Sequence, residues 1–242
     1  MAEILGLIIH LHRAVARREH VNRLRAALPV PSEILPAVDA KLADPAEMAR
    51  YDPSLGRHPR YPFPLSDTEI AVTLSHRQAW ARIIAAGAAA GLVVEDDVVF
   101  DPALIGPALD LARDNLTDDL LIRLPDKERE RPGQVIGEHS GLRLFAPRET
   151  GLGMQAQIVG RGAAARLLEI TERFDRPVDT TIQMTWETGL QPLTLLPPVV
   201  RDISNEMGGS TLQKRGRGPL ERLRAELLRA RYRAQVARAA RG

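Results

Sequence analysis

Residues 91–100, Gly91-Leu92-Val93-Val94-Glu95-Asp96-Asp97-Val98-Val99-Phe100, set three consecutive carboxylates inside an otherwise apolar run. A Val-rich run of this length reads as a strand buried on both faces, which requires a sheet covered by helices on each side. Acids at the end of such a strand need a compensating partner. A divalent cation is the simplest one, because Mg²⁺ and Mn²⁺ take hard oxygen ligands and commonly bridge to phosphate. In an extended chain Glu95 and Asp97 project to one side and Asp96 to the other. Glu95 and Asp97 are therefore the expected metal ligands of a diphosphate site.

The surrounding chain alternates strand and helix patterns. Residues 4–11 predict a first strand, followed by a helix to residue 28 on the apolar positions Val21, Leu24 and Leu28. A short second strand is expected at 33–39, then a Pro-rich loop over 40–64. Ser66-Asp67-Thr68-Glu69 has the form of a capping box, opening a helix that runs to about Gly87. Beyond the acidic strand we expect a helix at 101–113, strands at 120–124, 142–145 and 154–159, and a helix at 161–173. A short helix opened by Asp179 and a last strand at 193–196 follow. This alternation predicts an α/β fold with a mostly parallel, Rossmann-type sheet and helices on both faces.

Pro219 suits the first position of a helix, here a basic one reaching residue 240. It places Leu220, Leu223, Leu227, Ala230 and Ala234 on one side, so it is expected to be amphipathic. Residues 214–242 carry ten Lys or Arg against two Glu, while the rest of the chain is net acidic. The high isoelectric point thus describes the tail, and bulk charge gives no ground for a nucleic-acid partner. We divide the chain into one domain, 1–213, and a basic helical tail, 214–242, suited over 219–240 either to peripheral contact with an anionic membrane or to a solvated or partner-packed position.

Cysteine is absent, which excludes disulfides, thiolate zinc sites and thiol nucleophiles. Residues 4–11 lack a basic leader and a cleavage site, and no stretch approaches the roughly 20 apolar residues of a membrane span. The expected location is the cytoplasm, with peripheral attachment at the inner face of the membrane left open. Val-Val-Glu-Asp-Asp also opens many receiver domains, but residues 141–147 hold no Asp to act as phosphoacceptor.

The blocks flanking the acids resemble glycosyltransferase family 25, the lipooligosaccharide galactosyltransferase-like family. They are Leu65-Ser66-Asp67-Thr68-Glu69-Ile70, Ser75-His76 with Trp80, and Val93-Val94-Glu95-Asp96-Asp97-Val98. His10-Leu11-His12-Arg13 with Arg17-Arg18 is similar to the family's opening Asn-Leu-Asp-Arg and later Arg, with His10 in the Asn position. Pro36-Ala37-Val38-Asp39-Ala40 is similar to its Ala-Val-Asp-Gly block, with Ala40 in the Gly position.

The resemblance implies a GT-A type fold and transfer of a hexose, most commonly galactose, from a UDP-sugar to a hydroxyl of a saccharide or lipopolysaccharide acceptor, with inversion. Mn²⁺ or Mg²⁺ on Glu95 and Asp97 would assist departure of UDP. Leu11, Arg13, Arg17, Asp39, Ser75, His76 and Asp96 are the expected donor-binding residues, Asp96 towards sugar or ribose hydroxyls. Inverting transfer needs a general base; Asp179 is the candidate, with Glu187 competing and a helix N-cap as its structural alternative. His76 could equally be a core residue, Asp39 a turn residue, and Arg18 a solvated one. Two other classes stay open: a catalytically weakened nucleotide-sugar-binding module, and a basic-tailed interaction protein whose acids are structural.

Overall fold

The computed structural model describes residues 3–207 and 219–240, with the side chains of 219–222 left out. The expected boundary at 213/214 and the Leu220 side chain lie outside the described residues. The chain forms β1 (Ile4–His10), a 3-10 turn (Val15–Arg17), α1 (Arg18–Ala27), β2 (Ser32–Pro36), α2 (Pro45–Met48), α3 (Asp67–Ala85), β3 (Ala90–Glu95) and β4 (Val98–Phe100). Next come α4 (Ile105–Asp114), β5 (Leu121–Arg123), β6 (Pro132–His139), β7 (Leu142–Pro147), β8 (Ala156–Gly160) and α5 (Arg161–Ile170). The chain ends with α6 (Val178–Ile182), α7 (Thr185–Thr188), β9 (Leu193–Leu196), β10 (Val200–Asp202) and α8 (Pro219–Ala239).

Eight strands form one sheet in the order β2-β1-β3-β8-β5-β9-β7-β6. Six of them share one direction, and β8 and β7 run against it. The sheet is mixed but mostly parallel. Side-chain alternation along β1 and β3 feeds two cores. Ile4, Ile8, Leu92 and Val94 pack with α1 and α4 on one face. Leu7, Ile9 and Val93 pack with Trp80 and Ile83 of α3 and Leu167 of α5 on the other.

Two expectations change here. The stretch 125–147 holds a hairpin of two strands, β6 with β7, rather than one. Residues 197–202 are not all loop, because β10 pairs antiparallel with β4, opposing Asp202 to Val98. That second, small sheet clamps the segment just after the acids, and Ile203 N donates to Asp97 O at 2.8 Å.

The helix at 219–239 keeps Leu223 and Leu227 outward and packs with another side. Leu223 and Leu227 are 60% and 64% exposed, whereas Ala225 and Tyr232 are buried. Tyr232 has a buried anchor to reach, the Arg176 guanidinium, at 3.0 Å. Among the described residues, no helix is long and apolar enough to cross a membrane.

Candidate active site

The packing of α3 on β3 decides which side chains meet. Ser66 caps α3 with the full capping box, its hydroxyl accepting from Glu69 N while the Glu69 carboxylate accepts from Ser66 N at 2.7 Å. Lower down, Gly91 lets the helix close on the strand: a Cβ there would collide with Ile83 Cγ1. His76 lies two turns before Ile83 on the same helix face, and Glu95 lies four residues beyond Gly91 on the strand. Helix and strand rises of about 1.5 and 3.3 Å per residue make these spans comparable. His76 Nε2 thus comes 3.5 Å from Glu95 Oε1.

Asp96 and Asp97 form the turn between β3 and β4. The Arg17 Nη1 group, carried by the 3-10 turn after β1, donates to Asp96 Oδ1 at 2.5 Å and to Asp97 Oδ2 at 3.1 Å. Burial alone would lower the Arg17 pKa, but the two carboxylates outweigh it and hold it above its ordinary value. His10 Nδ1 donates to Asp96 Oδ2 at 2.7 Å. Both Asp96 oxygens therefore face protein donors, and the residue is buried. Asp97 differs: desolvation, then the Glu95 charge, push its carboxyl up to about 6, with Arg17 opposing and Asp96 and Asp202 adding to the rise.

These groups surround a cavity of about 180 Å³ lined by Leu11, Arg13, Arg17, Thr68, Ser75, His76 and all three acids. It lies at the carboxyl ends of β1 and β3, where α/β sheets bind ligands. A larger hollow of about 600 Å³ shares Leu11, Arg13, Ala37 and Val38 with it and adds Asp39. Asp39 accepts from Arg13 Nε at 2.7 Å, and the Lys41 N–H, with Arg13, holds its carboxyl below the ordinary value. Ser75 turns its hydroxyl to the main chain, accepting from Val38 N at 2.9 Å and donating to Ala71 O at 2.7 Å. It pins the loop after β2. Arg18 is exposed at the start of α1.

Asp179, the expected base, is not among the residues lining either hollow. The helix α6 opens at Val178 with Pro177 in the N-cap position, so Asp179 neither opens nor caps it. Its Oδ1 accepts from Thr180 N at 2.7 Å and its Oδ2 from Gly153 N at 3.3 Å. Gly153 presents that N–H from φ +104°, a conformation that favours glycine. Desolvation raises the Asp179 carboxyl; the Gly153 and Thr180 N–H groups and Arg123 oppose the rise, and the Glu95 charge adds to it. Asp179 therefore senses both Glu95 and Arg123. Glu187 is half-buried on α7 and lines neither hollow.

Three supporting residues carry no signal in the sequence. Gln157 of β8 donates through Nε2 to His76 Nδ1 at 3.2 Å, which places the ring proton on Nε2, the atom facing Glu95. Arg123 and Glu130 form a buried ion pair, each side chain 5% exposed. Arg123 Nη2 also donates to Leu152 O at 2.8 Å, and Glu130 accepts from Gly151 N, so the pair shapes the loop that meets Asp179.

The model of "Glycosyltransferase family 25 (LPS biosynthesis protein)" matches residues 4–182. No curated protein sequence matches. Among solved structures, A197 from STIV aligns over 82% of this chain and 83% of its own, at 9% identity and TM-score 0.39. A glycosyltransferase involved in glycosylation of the major capsid of PBCV-1 aligns over 94% and 99%, at 10% and 0.43. Mannose-1-phosphate geranyltransferase from Thermus thermophilus aligns over 88% and 81%, at 10% and 0.43.

Proposed function

The chain belongs to glycosyltransferase family 25, and from that premise we propose that it transfers a hexose, galactose before others, from a UDP-sugar to a hydroxyl of a saccharide or lipopolysaccharide acceptor with inversion. The observation that carries this reading is the convergence of Arg17, His76, Glu95 and Asp97 on one cavity at the carboxyl ends of β1 and β3. The GT-A form of the fold belongs to the same proposal.

We assign a divalent cation to Glu95 and Asp97, two ligands that the diphosphate would have to complete, since among the described residues no group of three or more His, Asp or Glu is placed to hold a metal. Both offer hard oxygens to the same cavity, and the Asp97 carboxyl is pushed up by the Glu95 charge, a repulsion that a cation would relieve. Such an ion, Mn²⁺ or Mg²⁺, would act as a Lewis acid on the diphosphate leaving group. The remaining steps fall to the protein. Arg17 holds Asp96 and Asp97 in place, and His76 directs an N–H at Glu95. Arg13 and Asp39 border the larger hollow, which offers room for the nucleoside.

In the transfer, the acceptor oxygen bonds to the anomeric carbon while that carbon's bond to the diphosphate oxygen breaks with its electron pair leaving on UDP. The acceptor proton passes to the carboxylate we assign as base, Asp179. Desolvation holds its pKa above the ordinary carboxylate value, the direction that favours taking up a proton. The chain fits a cytoplasmic enzyme that reaches a glycolipid acceptor at the inner face of the membrane.

Thermal shift with UDP, with and without Mn²⁺, tests donor binding. A metal-dependent rise lost in Asp97→Ala supports the reading, and the absence of any shift with UDP-, GDP- and CMP-sugars would sink it. Nucleotide release with crude lipopolysaccharide present then separates an enzyme from a module that binds donor without transferring.

A further inference from the structure

We infer that Gln78 and Leu42 form the seat of the donor's uracil base, Gln78 pairing with its polar edge and Leu42 covering its face, a role that rests on the reading of the chain as a UDP-sugar transferase. Both residues line the hollow of about 600 Å³. That hollow is continuous with the cavity of the three acids, since the two share Leu11, Arg13, Ala37 and Val38. Along α3, Ser75 faces the acid cavity and Gln78, about one helical turn further on, faces the hollow. A ligand anchored at the acids can therefore extend along one wall into the larger space.

Most polar side chains of the hollow are already engaged. Arg13 donates to Asp39 at 2.7 Å, and Asp44 caps α2 by accepting from Ala46 N at 2.8 Å. Glu47 accepts from Arg50, and Arg77 donates to Leu168 O and to the Thr171 hydroxyl. Of the polar side chains lining the hollow, His12 and Gln78 are the two with no hydrogen-bond partner among the described residues.

Chemistry separates those two. The Gln78 amide sets an acceptor oxygen beside N–H donors, the arrangement that meets the adjacent carbonyl and N3–H groups on one edge of uracil. An imidazole carries its donor and acceptor on different sides of a ring, so His12 cannot pair with both groups at once. Charge points the same way. Asp39, Asp44 and Glu47 offset Arg13 and Arg77, so the hollow has no surplus positive charge and suits the uncharged base rather than the diphosphate.

Leu42 is 85% exposed, more than any other large apolar side chain among the described residues, and it lines this hollow. An anchored turn presents it. Leu42 N donates to Asp39 O at 2.9 Å and Lys41 N to Asp39 Oδ1 at 3.0 Å, while Arg13 holds the same carboxylate. A flat ring lying under Leu42 would remove apolar surface from water on both partners. Ligand sites commonly combine such apolar walls with a few placed polar groups.

Calorimetric titration of the full chain with UDP, and with inorganic pyrophosphate as the base-free probe, both in Mn²⁺, tests the seat. In the natural protein UDP should bind at least about tenfold more tightly than pyrophosphate, and Gln78→Leu and Leu42→Ser should each weaken UDP about tenfold. Pyrophosphate affinity should stay within about twofold in both variants, because neither residue lines the acid cavity. UDP affinity unchanged in Gln78→Leu overturns the edge pairing, and unchanged in Leu42→Ser it overturns the cover. Equal losses of UDP and pyrophosphate overturn a base-specific role for the residue concerned, and a natural protein that binds UDP no more tightly than pyrophosphate overturns the whole seat. Each of these results leaves the donor cavity standing. A natural protein that binds neither probe overturns the donor reading and the seat with it. Both side chains are exposed, and if Gln78→Leu precipitates, Gln78→Ala replaces it under the same criteria.

Discussion

His76 Nε2 stands 3.5 Å from Glu95 Oε1 and is aimed there by Gln157, which donates to the ring's other nitrogen. At that distance the contact is a directed charge–dipole interaction rather than a short hydrogen bond. Its Nε2 has no hydrogen-bond partner among the described residues. The ring faces the carboxylate without binding it tightly, which leaves Glu95 able to engage a ligand.

Gln157→Leu should therefore loosen the ring while filling the same volume. Residues that orient the surroundings of a metal ligand are typically worth about 10–100-fold in metal affinity. Calorimetric titration of Mn²⁺ in the presence of saturating UDP should show a loss in that range. An affinity equal to that of the natural protein would reduce His76 and Gln157 to packing.

Asp97 should make the metal-free protein less stable as pH rises. Its carboxyl ordinarily titrates at 3.8 but at about 6 in the fold, so folding favours the neutral form. The stability that goes with protonation is complete below about pH 4 and is lost as pH rises through about 6. A shift of this size corresponds to up to about 3 kcal/mol. Asp97→Asn keeps an oxygen for Arg17 and removes the charge, so it should raise the melting temperature at about pH 8 and not at about pH 4. Equal melting differences at both pH values would contradict this.

What could be read from the sequence was local. The capping box at Ser66 and the apolar faces of α1 and α5 each repeat within a few residues and lie where their patterns put them; the acidic run does so only to Glu95, since Asp96 and Asp97 turn the chain and 98–100 join a second sheet. Leu11, Arg13, Arg17, Ser75, His76, Glu95, Asp96 and Asp97 do meet in one cavity, with Asp39 in the adjoining hollow. What escaped depends on distant partners. Most of β6 is exposed and bears no alternating apolar signal, and β10 exists because β4 lies about a hundred residues earlier. The His10–Asp96 contact spans 86 residues. The docking of α8 likewise depends on a distant partner, because Tyr232 reaches Arg176.

Glu130 should matter more to stability than its place in a polar loop suggests. It neutralises Arg123, which is 4% exposed, and removing one member of a buried pair typically costs about 3–5 kcal/mol. Glu130→Gln should lower the urea midpoint accordingly. Glu138→Gln breaks the exposed pair with Arg143 and should change stability by less than about 1 kcal/mol. Comparable losses in the two variants would show that burial is not the deciding factor.

The outward face of α8 should bind anionic lipid. Its inner side is taken up by Ala225 and Tyr232, while Leu223 and Leu227 are exposed beside Arg224 and Arg231. Each arginine near a negatively charged surface is worth about 1 kcal/mol. Co-sedimentation with phosphatidylglycerol vesicles, and not with phosphatidylcholine, is expected, reduced several-fold in Leu223→Ser/Leu227→Ser. Binding to both lipids, or equal binding by the variant, would remove the helix from any membrane role.

Asp179 is the residue on which the proposed chemistry turns. Its two oxygens accept from Gly153 and Thr180, and burial keeps its pKa above the ordinary carboxylate value. A base must be ionised to act, so the rate should rise with pH through a point above that ordinary range. Asp179→Asn retains the oxygen that Gly153 or Thr180 needs but cannot take the acceptor proton. Its kcat should fall by about 10²–10⁴ with UDP affinity unchanged. Glu187→Gln, half-buried on α7, should leave kcat within about threefold. The reverse pattern would move the base to Glu187, and a loss of UDP binding in Asp179→Asn would make the residue part of the donor site.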